Sequence, residues 1–198
     1  MKYVYIFSGI LIALALIFQG WVHYASNVEE QPYEVMHTFG DVEIRHYPAA
    51  RMASVDQENS EDLQRSGFSM LAGYIFGGNE EEQKFAMTAP VHMSRSEEGA
   101  RMSFVLPQEA WEEELPAPND KRVKLHWSDP SDVAAIQFSG YANQEKIERY
   151  KKEMLATLDS LHIAHQDNFS LLGYDPPFKT TGRRNELLVG IDTSTLPK

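Results

Sequence analysis

The sequence predicts an α+β domain, a pseudo-twofold repeat of strand-strand-helix-strand-strand on a mostly antiparallel sheet, preceded by an N-terminal transmembrane helix. Three observations predict it: an uncharged apolar run at Tyr3–Val22, strand-like alternation interrupted by two amphipathic stretches, and the return of the same element order in the second half of the chain.

Taking the elements in order, Tyr3–Val22 holds 20 residues without a charge. At 1.5 Å per residue that is about the 30 Å of a bilayer's hydrocarbon core. A cleavable signal peptide, the alternative for residues 1–23, carries a shorter apolar region of roughly 7–15 residues. Lys2 precedes the run and Glu29-Glu30 follow it, so the positive-inside rule places the N-terminus in the cytoplasm. The chain is therefore expected at a membrane, single-pass, with its domain facing the periplasm or cell exterior. Residues 24–32 are polar, end in Pro32 and predict a linker, leaving residues 33–198 as one domain.

Strands are predicted at Tyr33–Thr38, Val42–Tyr47, Arg51–Asp56, Phe85–Met93 and Ala100–Leu106, with a helix over Glu61–Phe76 between the third and fourth. The order recurs as Arg122–Trp127, Val133–Ser139, a helix over Gln144–Leu161, Phe169–Tyr174 and Glu186–Ile191. Pro90, within the fourth strand, predicts an edge or a bulge there.

The two helices differ. In the second, Asn143 can cap, and Ile147, Tyr150, Met154, Leu158 and Leu161 fall within about 80° at 100° per residue, a one-sided core stripe. In the first, Leu63, Gly67, Met70, Leu71 and Tyr74 form one stripe, and Phe68, Ala72 and Ile75 form a second with Arg65 at its margin. Together they span roughly 200°, where about 100° suffices to sit on a sheet. The second stripe either walls a groove with Arg65 at its mouth or is covered by a loop or by the other repeat.

With 18 basic and 29 acidic side chains the chain carries a net charge of −11; without Lys2, the part from Glu29 onward carries −12. Such a surface repels polyphosphate, and no nucleic-acid partner is expected. The chain has no Cys, which excludes thiol chemistry and Cys-ligated metal sites. No nucleophile elbow, zincin helix or phosphate loop is present. His162 and His165 have a metal-compatible spacing, but with no third ligand they predict a solvated helix end. Lys179, Arg183 and Arg184 beside Tyr174 and Phe178 form a cationic and aromatic cluster. It either holds a carboxylate-bearing ligand or pins its own loop through Glu186 or Asp175.

Three stretches, Glu43-Ile-Arg-His-Tyr47, Lys84-Phe-Ala-Met-Thr-Ala-Pro-Val91 and Gly173-Tyr-Asp-Pro-Pro-Phe-Lys179 with Gly182-Arg-Arg-Asn-Glu186, resemble the SOUL haem-binding protein family over about residues 33–191. The resemblance implies a twisted, β-barrel-like pseudo-twofold fold with two helices, and non-covalent binding of haem or another tetrapyrrole in an apolar groove along the first helix. It assigns Phe68, Leu71, Ala72 and Ile75 to that groove, Arg65 and Lys179 to the propionates, and His46 to the iron as an axial ligand. The expectation is a membrane-anchored tetrapyrrole-binding protein that is not an enzyme and has no catalytic residues. Two alternatives use the same groove: an enzyme acting on an amphipathic ligand through Tyr174, Glu186 or His92, and a protein-protein interaction module.

Overall fold

The computed structural model describes residues 7, 28–57, 66–96, 99–176 and 178–197. Apart from Phe7, the apolar run Tyr3–Val22 lies outside the described residues, as do Arg65 and the predicted N-terminal turns of the first helix. Among the described residues no helix is long and apolar enough to cross a membrane.

In chain order the elements are β1 (Glu29–Glu30), β2 (Glu34–Phe39), β3 (Val42–Tyr47), β4 (Arg51–Gln57), α1 (Phe68–Ile75), β5 (Thr88–Ala89), β6 (Val91–Ser96) and β7 (Gly99–Val105). They continue as β8 (Lys124–Trp127), β9 (Ser131–Ser139), α2 (Gln144–Ser160), β10 (His165–Gly173) and β11 (Arg184–Ile191). Nine strands form one antiparallel sheet in the order β2-β3-β9-β11-β10-β6-β7-β4-β8. Exchanging β3 with β8, β4 with β9, β6 with β10 and β7 with β11 reverses the order of those eight strands onto itself. The repeat is thus real in topology, and its halves interlock. The first strand of each copy pairs with the other copy, β3 with β9 and β8 with β4.

Two sequence expectations need correction. The barrel is not closed: β2 and β8 each end the sheet. β8 has four residues, and β2 is bent by a register shift between Val35 and His37, so neither edge offers a straight ladder for closure. Pro90 does not mark an edge either, because β6 pairs with both β7 and β10. Its peptide with Ala89 is cis, it separates β5 from β6, and no ladder hydrogen bond is required of its nitrogen.

The helices sit on the same face of the sheet, α1 over β4 and β7, α2 over β9 and β11. Under α1 lie Ala53, Val55, Met102, Phe104 and Leu106, and under α2 lie Val42, Ile44, Ala134, Ile136, Leu187 and Val189. The Asn143 side chain caps α2 by accepting from Lys146 N at 2.9 Å, and Met154 and Leu158 on its inner stripe are fully buried. α1 ends where Gly77 takes φ +100°, so that Gly77 N–H donates to Tyr74 O and Gly78 N–H to Gly73 O at 2.8 Å. The opposite face carries Tyr47, Ala135, Leu172, Tyr174 and Leu188, against which Val28 and Tyr33 pack. The described end of the predicted linker is accordingly docked: β1 pairs parallel with β5, and Gln31 N–H donates to Ala89 O at 2.8 Å.

Candidate functional site

Directly opposed residues of an antiparallel pair share a face, so the register can be followed across the sheet under both helices. One row runs Val55, Met102, Met93, Leu171, Leu187, Ile136, Val42, and the next runs Ala53, Phe104, Val91, Gly173, Asn185, Phe138. In both rows the residues under α1 are buried, those under α2 are buried, and the middle pair, Met93 and Leu171 or Val91 and Gly173, is only half-buried. These strands, β6 and β10, are the central pair of the eight that form the repeat, where the apolar face would ordinarily be the most deeply covered. With α1 over β4 and β7 and α2 over β9 and β11, the strands β10 and β6 lie between the two helices as the floor of a trough. Its floor is hydrocarbon and thioether.

α1 forms one wall. At 100° per residue Leu71, Tyr74 and Ile75 point at the sheet and are 0–1% exposed. Phe68 and Ala72 lie on the flank turned toward the trough; Phe68 is 41% exposed, with its ring 5.2 Å from that of Phe104 at 65°. Of the four groove positions expected on α1, two therefore flank the trough, while Leu71 and Ile75 belong to the core beneath the helix. Lys179 stands on the loop that follows Gly173, and its ammonium pairs with Asp175. Arg65 lies outside the described residues. His46 is elsewhere: β3 is separated from β7 by four strands in sheet order, and its Nδ1 lies 2.7 Å from Asp132 Oδ1.

The outer flank of α1, which by sequence is its polar side, borders an open cavity of about 500 Å³ lined on its other side by Asn119, Asp120, Arg122 and Val123. Ser66, Ser69, Gly73 and Gly78 line it. Sequence reasoning missed this site, whose only signal is the run of small residues at helical spacing. Arg122 is held there by a two-point pairing with Asp120, at 2.9 and 2.7 Å.

The cationic cluster of the last loop is a pin. Arg183 donates to the carbonyls of Pro176 and Lys179, and Arg184 N–H to Asp175 Oδ2. The Arg184 guanidinium, 3.7 Å from the Tyr174 ring centroid, donates to Glu186 Oε1 at 2.9 Å. Glu186 is fully buried on the opposite face and also accepts from Arg45 Nη1 at 2.7 Å and from the Tyr174 hydroxyl at 2.9 Å. Burial pushes its carboxyl up, but hydrogen bonds and charge from Arg45, then Arg184 and Tyr174, outweigh that and hold it below the ordinary glutamate value. Burial and the Glu186 charge raise Tyr174 well above a free phenol. Burial takes His92, whose Nε2 lies 2.7 Å from Gln31 Oε1, down to about 4. The three residues of the acid-base alternative are thus engaged with one another, with arginines or with Gln31, on the face away from the trough. Among the described residues no group of three His, Asp or Glu side chains could hold a metal ion.

A family model described as SOUL heme-binding protein matches residues 28–190. Heme-binding protein 1 of Mus musculus is 27% identical over 175 residues, which cover 81% of this chain and 92% of the relative. Heme-binding protein 2 of Homo sapiens is 30% identical over 162 residues, covering 75% and 77%. Among solved structures, a hydrolase encoded by lin2189 from Listeria innocua superposes with a TM-score of 0.58 at 11% identity, over 77% of this chain and 92% of that one. The EcmrR C-terminal domain superposes with a TM-score of 0.55 at 7% identity, over 81% and 98%. At such identities these two structures share the fold alone.

Proposed function

The chain belongs to the SOUL heme-binding protein family, and on that premise we propose that it holds haem or a related tetrapyrrole non-covalently, without turnover, in the trough between α1 and α2. The observation that carries this reading is the half-buried apolar floor Val91, Met93, Leu171 and Gly173 on β6 and β10. Leaving that area open costs stability in the free protein, and a flat apolar ligand recovers it at about 25 cal/mol per Å² of apolar surface covered. Gly173 contributes no side chain, and its missing Cβ would stand 3.8 Å from Met93 Cε, so the floor is flat at that point. The residues present therefore fit the face of a tetrapyrrole, whose bound iron would supply ligand-binding and redox chemistry.

Apolar contact with Phe68, Ala72 and the floor sets the affinity. Lys179 contributes less, because each exposed ion pair is worth about 0–1 kcal/mol and Asp175 competes for it. Its main effect is orientation of an anionic ligand against the −12 background. Saturation of Glu186 and Tyr174 by internal partners supports binding rather than catalysis. Hemin added to the full chain is expected to give a shifted Soret band that saturates at one equivalent. A titration with no shift at micromolar protein overturns the proposal.

In the same reading Tyr3–Val22 tethers the domain to a membrane, on its periplasmic or exterior side. The uncharged length of that run supports this. Full-length protein is expected to stay with membranes through alkaline carbonate washing; release into the supernatant overturns the tether.

A further inference from the structure

We propose that Met93 is the side chain that meets the iron of the bound tetrapyrrole, an inference that rests on the trough reading above. Of the four floor residues, Val91 and Leu171 end in hydrocarbon and Gly173 has no side chain, so the Met93 thioether is the one metal donor among them; Phe68 and Ala72 on the α1 flank are hydrocarbon too. It lies beside Leu171, the middle residue of its row, and is opposed by buried Met102 on β7 and by half-buried Leu171 on β10. Its terminal methyl faces the space left by the missing Cβ of Gly173. An unbranched thioether with three torsions can turn its sulfur toward a ligand lying on the floor without moving the strand. Thioether sulfur is a known donor to haem iron and favours the reduced state.

The imidazole expected in this role stands on the other half of the sheet. His46 belongs to β3, its ring is engaged by Asp132, and β9, β11, β10 and β6 lie between it and the strands that carry α1. A thioether in its place makes the site discriminate for iron. Hemin should bind the full chain about tenfold more tightly than iron-free protoporphyrin IX, one added ligand bond of modest strength.

The test titrates hemin and protoporphyrin IX into the full chain, Met93→Leu and His46→Ala, and records the near-infrared sulfur-to-iron band of the ferric complex. Met93→Leu conserves volume, so protoporphyrin binding should be unchanged while the hemin preference and the sulfur band disappear. His46→Ala should leave both in place. Met93→His should replace the sulfur band by the spectrum of a nitrogen-ligated iron. Equal weakening of both porphyrins in Met93→Leu, an unchanged hemin spectrum there, or loss of the band in His46→Ala each overturns the Met93 assignment, while persisting protoporphyrin binding leaves the trough standing. Failure of the unaltered chain to bind either porphyrin removes the trough and this assignment together.

Discussion

Glu186→Gln is expected to destabilise the domain by about 3 kcal/mol at neutral pH, the lower end of what breaking a buried ion pair costs. The carboxylate is fully buried and accepts from Arg45 at 2.7 and 3.3 Å, from Arg184 at 3.1 and 2.9 Å and from Tyr174 at 2.9 Å. The amide keeps the shape but leaves two guanidinium charges facing a neutral group, and its NH₂ is turned toward donors. Substitutes are poor. Glu43 on Arg45 and Glu30 on Arg184 have side chains 36% and 49% exposed, so their pairings are screened by water and replace only part of the loss. For a domain of this size about 3 kcal/mol lowers the melting temperature by roughly 10 °C.

The pH dependence has a definite sign. The folded-state value of Glu186 is below that of a free glutamate, so its stabilisation is complete above the ordinary carboxylate range and is lost as pH falls through the folded value. Glu186→Gln lacks that limb. Urea melts at pH 7, 5 and 3 should show the gap between the two proteins wide at the first two and narrowed at the third. A gap under about 1 kcal/mol at pH 7 would mean that the cluster contributes little, and one that does not narrow in acid would mean that the carboxylate charge is not what contributes.

The strands and the second helix were legible because they depend on local pattern. Val42–Tyr47 alternates and is found as β3 with the expected bounds, and Asn143 caps α2 as its residue type predicts. The repeat of element order was legible too, while the interlocking was not: β3 pairs with β9 and β8 with β4 through contacts between distant segments, which leave no periodic trace. The site shows the same division. Helical spacing identifies a wide apolar arc on α1 but not which bearing faces the sheet. With Tyr74 at its centre, Leu71 and Ile75 fall into the core and Phe68 and Ala72 onto a flank. The floor was the hardest part to read, because alternation places Met93 and Leu171 on the apolar face without saying that β6 and β10 are the strands where the two copies meet, each at the margin of one helix's core.

Phe68→Asp is expected to weaken hemin binding roughly 100-fold while leaving the fold almost untouched. The ring is 41% exposed and touches Phe104 edge-on at 5.2 Å, so the free protein loses only part of one aromatic contact, about 0.5–1.5 kcal/mol. Binding loses more. Covering that ring with ligand recovers about 1.5–3 kcal/mol of transfer energy, and a carboxylate in its place must be stripped of water against an apolar plate and repels the ligand's own carboxylates. Converted to affinity, the transfer loss alone is roughly 10- to 150-fold. Phe68→Leu, which keeps an apolar wall, should stay within about tenfold of the unaltered chain, so charge and size can be separated. An affinity for Phe68→Asp within about threefold of the unaltered chain would take α1 out of the site. The contrast with Glu186 is the stronger check, since the two residues lie on opposite faces of one sheet. Glu186→Gln should cost stability and spare hemin affinity, Phe68→Asp should do the reverse, and the two effects should add in the double variant to within about 0.5 kcal/mol. Coupling beyond that would mean that ligand and buried charge cluster communicate through the sheet, which a site confined to the helical face does not allow.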